Sequence, residues 1–317
     1  MLRPGAEQRL SEPAFGRYLD DLARRRGDVP WYARFRTVTI PGGGGQLKLS
    51  VIDEHADAPV LIFLPGTNAY ALLYGEFLTK MVDRGINVVG VDPRGHGRSE
   101  GRRGSYTLDE ILHDLRTVVD WTRAHFGGRI WIGGSSQGGI ASFYFAAMNS
   151  DIDGTICHNI ADLDGPLSHQ LIRTPKLAKA ARPLIRRLAR LMPEAPLPMS
   201  SYINLAREPV RGMGTALNVL NNDPLTVPFI RLRTLASLTR GPIRSPAHQI
   251  SCPILVLHGD LDTIFPTSYI EHLFAEIRAE KALLRFPAHH HYMIVDDVDS
   301  YIDDVCRFIF KPRTHKS

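Results

Sequence analysis

The chain is expected to form an α/β fold, a mostly parallel central sheet flanked by helices and interrupted by an inserted helical segment. Three observations predict it. Short apolar runs of strand length alternate with segments of helical apolar spacing. The alternation stops near Leu163 and resumes near Ile250. The resumed part holds two more strand-like runs and closes on a helix. Strands buried on both faces and joined by helices belong to parallel sheets with right-handed crossovers.

Taken in order, Ala14–Arg26 reads as part of a polar, partly helical lead-in of about thirty residues. RFRTVTI and LKLSVID follow as alternating β-type runs, joined by Pro41 and four glycines, a hairpin signal. Those glycines are no phosphate loop, because neither a Gly-Lys-Ser/Thr nor a helix start follows. Strands are expected at Val60–Leu64, Ile86–Val91, Arg129–Gly133 and Gly154–Ile160, with helices at Leu72–Arg84, Leu108–Phe126 and Gln137–Met148 between and after them. After the interruption come Pro253–Leu257, the helix Thr267–Arg278, Ala282–Phe286 and a last helix Ser300–Phe310. Residues 1–162 and 251–317 are thus expected to form one core, and 163–250 a helical cap inserted into it. Within the cap, Leu171–Met192 carries apolar positions (Leu177, Ala181, Leu184, Ile185, Leu188 and Leu191) interleaved with Arg182, Arg186, Arg187 and Arg190, and Pro183 is expected to divide it into two short helices.

Composition narrows the function classes. The chain has 317 residues, 44% hydrophobic and 22% charged, which argues for a globular body rather than disorder. Net charge is +5, yet 163–250 alone holds 13 Lys+Arg against 4 Asp+Glu, a local +9. Basicity confined to one segment points away from a general nucleic-acid binder and leaves a possible weak membrane-surface contact through the basic cap. Cys157, Cys252 and Cys306 are odd in number, widely spaced and without C-x-x-C, so free buried thiols in a reducing compartment are expected. The first ten residues carry no apolar leader core, and no apolar run approaches membrane-span length; a cytoplasmic location is the expectation.

The central chemical signal is G-x-S-x-G, as Gly134-Ser135-Ser136-Gln137-Gly138. A β-rich apolar run precedes it and a helix-like run follows, the context of a nucleophile elbow. There a serine sits on a sharp strand-to-helix turn, and glycines two residues away on either side let strand and helix cross closely. Ser135 is the competing nucleophile, but its frame would need glycine where Gln137 stands. In this architecture an acid and then a histidine follow, each after a later strand. Leu255–Leu257 breaks at Gly259 and leads to Asp260 and Asp262; the next strand leads to His289, His290 and His291. A serine hydroxyl needs a base to take its proton during attack; imidazole suits that task, and a buried carboxylate holds its tautomer. Asp162 and Asp164 offer an alternative acid position. Three histidines in a row invite a metal reading, but neighbours in a loop point different ways, and no second cluster has ligand spacing. His96, His113 and His258 read as structural or solvent-facing.

These motifs resemble the α/β-hydrolase superfamily, in its serine-dependent branch of monoacylglycerol lipases, lysophospholipases and S33-type aminopeptidases, over about residues 35 to 312. Val91-Asp-Pro-Arg-Gly-His-Gly-Arg-Ser99 is similar to that family's D-x-R-G-H-G-x-S loop, and Glu100 to Gly104 and Leu108 to Leu115 continue like the lipase branch. The resemblance implies the α/β-hydrolase fold with Ser136 as nucleophile, Asp262 as acid and His291 as base, Asp296 and Tyr301 following at the family's spacing. His290 is the runner-up base. It also implies backbone N–H groups of Gln137 and Thr67 as the oxyanion hole, with Asn68 a further contributor. Pro65 stands where the family usually has histidine, and Gln137 where lipases often have methionine. An Asp-nucleophile branch is excluded by the serine.

The function implied is hydrolysis of carboxylic esters through an acyl-enzyme, on a small-molecule substrate with an apolar acyl group, without cofactor or metal. Thioesterase, amidase or peptidase, acyltransferase and C–C hydrolase activities share the same triad and differ in the pocket. A non-catalytic binding protein on this fold is the third class; degraded triads mark such proteins, and here all three positions are intact.

Overall fold

The structure is a computed structural model that describes residues 11–171 and 175–312, with only the backbone described for 175–182. The expected leaderless first ten residues and the side chains of Leu177, Ala181 and Arg182 lie outside the described residues. Eight strands form one sheet: β1 (Arg36–Gly42), β2 (Gly45–Ile52), β3 (Val60–Leu64), β4 (Asn87–Asp92), β5 (Ile130–Ser135), β6 (Gly154–His158), β11 (Ile254–Gly259) and β12 (Lys281–Phe286). Among the described residues, four short strands lie between β6 and β11: β7 (Pro196–Pro198), β8 (Pro209–Val210), β9 (Gly214–Thr215) and β10 (Phe229–Arg231). The helices are α1 (Glu12–Arg25), α2 (Gly75–Val82), α3 (Leu108–His125), α4 (Gln137–Met148), α5 (Pro175–Leu191), α6 (Ala216–Asn222), α7 (Leu232–Ser237), α8 (Thr267–Glu276), α9 (Met293–Asp296) and α10 (Ile302–Phe310).

The sheet runs in the order β1-β2-β4-β3-β5-β6-β11-β12. Its last six strands pair in parallel, while β1, β2 and β4 pair antiparallel. Every residue of β3, β4, β5, β6 and β11 is buried, which is why these segments read as unbroken apolar runs instead of alternating ones. From β3 the chain steps out to β4, then returns to place β5 on the other side of β3. Ligand crevices in open α/β sheets form at such a reversal, outside the carboxyl ends of the strands. Here those ends carry Pro65–Thr67 after β3 and Ser136 after β5.

Helix starts follow local chemistry. Thr107 and Glu110 form a reciprocal capping box at α3. α4 is buried on nearly all sides, so it shows no apolar stripe and lies inside the molecule directly behind the elbow. α1 is more than a polar lead-in: Phe15, Leu19 and Leu22 are fully buried, Phe15 meets the Tyr70 ring edge-on, and the Tyr18 hydroxyl donates to Asp223 at 2.6 Å. Its polar majority faces water and hides a narrow apolar seam.

The segment between β6 and β11 departs from expectation in two ways. It is not only helical, since β7 pairs with β10 and β8 with β9 in small antiparallel ribbons. Pro183 does not divide Leu171–Met192 into two helices: α5 runs unbroken through it. Proline removes one N–H and crowds the preceding turn, yet its fixed φ is helical, so a helix can pass through it with a local kink. Cys157, Cys252 and Cys306 are all buried, as expected.

Candidate active site

The turn after β5 sets the geometry. Ser136 holds φ 54° and ψ −115°, a left-handed conformation that costs a non-glycine residue of order 1–3 kcal/mol. Its neighbours hold it there: Ser136 N–H donates to His158 O at 2.9 Å, and Ile140 N–H donates back to Ser136 O at 2.9 Å. A Cβ on Gly134 would lie 2.4 Å from the Gly138 backbone, and one on Gly138 would lie 2.2 Å from Leu64 O. The two motif glycines are therefore steric requirements of strand and helix crossing. Ser136 is partly exposed, whereas Ser135 is buried with its hydroxyl 3.1 Å from His158 Nδ1. Both serines line the same cavity, and the strained backbone conformation of the elbow belongs to Ser136.

Asp262 and His291 meet behind this turn. His291 Nδ1 lies 2.7 Å from Asp262 Oδ2, with both side chains buried. Asp262 Oδ1 accepts from the N–H groups of Ile264 and Phe265 at 2.7 and 2.9 Å, and Oδ2 also accepts from Asn159 Nδ2 at 2.8 Å. Burial is the largest influence on Asp262 and favours its protonated form; the His291 charge, the His291 hydrogen bond and the Phe265 N–H outweigh it and hold the carboxyl down at about 2. An ionised carboxylate only accepts, so the proton between the two is assigned to His291 Nδ1, leaving Nε2 free to act as base. Burial likewise pushes His291 toward its neutral form, but the charge and hydrogen bond of Asp262, with the charge of Glu208 behind them, raise its pKa above the ordinary 6.5. Phe265 stacks on the ring at 5.6 Å and 5°, fixing its plane.

Ser136, His291 and Thr67 line one cavity of about 50 Å³, roofed by Met199, Leu205, Val219 and Leu220 from the segment between β6 and β11. Among the described residues no hydrogen bond joins the Ser136 hydroxyl to His291. Contacts of this kind commonly tighten only when substrate arrives. Gln137 is the first residue of α4, where backbone N–H groups have no partner within the helix; its side chain is engaged elsewhere, accepting from the Tyr106 hydroxyl at 2.8 Å. Asn68 turns away from the cavity: its amide donates to Val227 O and Phe229 O at 3.0 and 2.6 Å, so its side chain is a tether and not an oxyanion donor.

The alternatives separate cleanly. His289 pairs with Asp297 and His290 faces Glu208 at 3.9 Å, so neither reaches Asp262. Asp162 caps its own turn through the N–H groups of Asp164 and Gly165, and Asp260 pairs with Arg285. His258 is buried between Asn159 and Thr267, and burial pushes the enclosed His96 down to about 4; both are structural, while His113 is exposed. Asp296 does not touch the pair; it accepts from the Arg211 N–H. Among the described residues, His158, Asp262 and His291 form the one group whose ligand-type atoms cluster, and two of its three members are this hydrogen-bonded pair.

Sequence reasoning missed two residues. Asn159, at φ 67°, joins Asp262 to His258. The expected strand Gly154–Ile160 ran across it, although a His-Asn pair at the end of an apolar run, and asparagine's tolerance of the left-handed region, were legible signals. Glu208 had no local signal at all, because its partners are more than fifty residues away.

Comparisons with known proteins agree on the fold. The sequence model of the family described as serine aminopeptidase, S33, matches residues 55–308. A monoacylglycerol lipase of Mycolicibacterium smegmatis is 27% identical over 262 residues, covering 77% of this chain and 87% of that protein. The monoacylglycerol lipase of Paleococcus ferrophilus superposes with TM-score 0.67 at 19% identity, over 87% of this chain and 98% of that one. A monoglyceride lipase of Saccharomyces cerevisiae in complex with a substrate analogue superposes with TM-score 0.70 at 17% identity, over 87% and 94%.

Proposed function

The chain belongs to the S33 serine aminopeptidase family of α/β-hydrolases, and from that premise we propose that it hydrolyses carboxylic esters of apolar acyl groups through a Ser136–His291–Asp262 triad. The observation that carries the proposal is the 2.7 Å His291–Asp262 pair opening onto the same cavity as a serine on a strained elbow. In the proposed reaction Ser136 Oγ attacks the acyl carbonyl while His291 Nε2 takes its proton. The carbonyl oxygen becomes an oxyanion, held by the N–H groups of Thr67 and Gln137. Each such donor lowers the barrier by about 3 kcal/mol. His291 returns the proton to the departing alcohol oxygen as the C–O bond breaks. A water then gives its proton to His291 and attacks the acyl-enzyme; the acyl C–Oγ bond breaks and His291 passes that proton to Oγ, which frees the acid and restores the Ser136 hydroxyl.

Residues 163–250 act as the cap in this reading. Their apolar side chains over the cavity favour an acyl chain there, and the lipase relatives act in the same direction. A cavity of about 50 Å³ holds little more than a water or two, whereas ligand sites usually offer about 300 Å³ or more. Substrate entry therefore requires the cap to shift. The test is hydrolysis of p-nitrophenyl esters of graded chain length. Turnover that favours medium or long chains and disappears in Ser136→Ala is expected. Turnover that survives in Ser136→Ala overturns the proposal.

A further inference from the structure

Glu208 is fully buried, and no lysine or arginine side chain pairs with it among the described residues. Both of its carboxyl oxygens are nonetheless used. One accepts from the Thr263 N–H at 2.9 Å and from the Thr263 hydroxyl; the other accepts from the His291 N–H at 2.9 Å. Thr263 directly follows Asp262 in the turn after β11, and His291 ends the loop after β12. One side chain from the segment between β6 and β11 thus grips the two loops that carry the acid and the base. Its own backbone is held in turn, since Glu208 O accepts from the Ala216 N–H at 2.8 Å beside the β8–β9 ribbon.

Resting on the reading of Ser136, His291 and Asp262 as the reacting group, we propose that Glu208 is a positioning residue that sets the distance and angle between Asp262 and His291, and that the cap completes the active site through it. The acid and base sit on loops after two separate strands. Besides the His291–Asp262 hydrogen bond and the Leu261 N–H bond to His289 O at 2.9 Å, Glu208 ties the two loops at Thr263 and His291, the residues next to and at the reacting pair. A displacement of the cap large enough to move Glu208 loosens both loops together, so opening for substrate and assembly of the triad are linked.

Glu208→Gln keeps the shape but has one acceptor oxygen in place of two. Whichever way its amide lies, either the Thr263 or the His291 backbone N–H faces an NH₂ group. Thr263→Val removes the hydroxyl tether from the opposite side. Both variants and the parent are titrated to completion with a fluorophosphonate, and kcat and KM for a p-nitrophenyl ester are expressed per titrated site. The expected result is a fall in kcat of about 10- to 100-fold for Glu208→Gln and at least about threefold for Thr263→Val, with KM within about twofold. A merely structural role would reduce the number of titrated sites and leave kcat per site unchanged. An unchanged kcat per site in either variant, with Ser136→Ala inactive, overturns the role of Glu208 alone. An active Ser136→Ala overturns the triad reading and this inference with it.

Discussion

Replacing Asp262 by asparagine probes the site's hydrogen-bond logic most finely. The carboxylate receives four donors: the Ile264 and Phe265 N–H groups on Oδ1, and Asn159 Nδ2 and His291 Nδ1 on Oδ2. Asparagine has one acceptor oxygen. The two fixed backbone N–H groups hold that oxygen where Oδ1 was, which turns the NH₂ toward His291. The NH₂ then donates to Nδ1, the imidazole proton moves to Nε2, and the ring can no longer take a proton from Ser136. The same change in other serine triads lowers kcat about 10⁴-fold, equivalent to about 5.4 kcal/mol of barrier. Since Asp262 is not part of the cavity wall, KM should hold within about threefold. Steady-state hydrolysis of p-nitrophenyl butyrate from pH 6 to 10 measures both constants. A kcat within tenfold of the parent at pH 7.5 would refute the assignment of Asp262 as the orienting acid.

Three further outcomes follow from the same geometry. His291 must be neutral to act, and its pKa is raised, so kcat/KM should fall as pH drops through a midpoint above 6.5; a midpoint below 6 in the pH–rate profile contradicts the pairing with Asp262. Gly138→Ala places a methyl group 2.2 Å from Leu64 O, an overlap with backbone that should destabilise the fold by about 3 kcal/mol or more, and a thermal midpoint within about 2 °C of the parent would show that the crossing is looser than described. The exposed Leu184, Leu191 and Met192 lie beside the exposed Arg187 and Arg190 on and just after α5; ester hydrolysis on anionic vesicles should fall steeply between 50 and 500 mM salt, and a flat response removes membrane contact through this face.

Much of this site was legible because its parts are local. The elbow announces itself: Gly134 and Gly138 are needed within five residues of one another, and the strand and helix on either side are continuous apolar runs. Val60–Leu64 and Gln137–Met148 have the bounds their patterns predict for the same reason. The choice of His291 over His290 was carried by family resemblance, since three adjacent histidines differ only in which way the loop turns each ring. What stayed hidden depends on distant partners. Glu208 bonds to residues 55 and 83 positions away, and no pattern around Arg207-Glu208-Pro209 records that. The short ribbons β7–β10 and β8–β9 were illegible for a related reason, being two- and three-residue pairings too brief to show a period of two. Pro183 misled in the opposite sense, because its cost is fixed while the packing that repays it is not local.

The decisive observation is where an active-site-directed fluorophosphonate attaches. Peptide mapping of the labelled protein should find a single adduct on Ser136, at stoichiometry approaching one, with none on the neighbouring Ser135 and none in Ser136→Ala. An adduct elsewhere, or undiminished ester hydrolysis in protein whose Ser136 is fully labelled, would contradict the account.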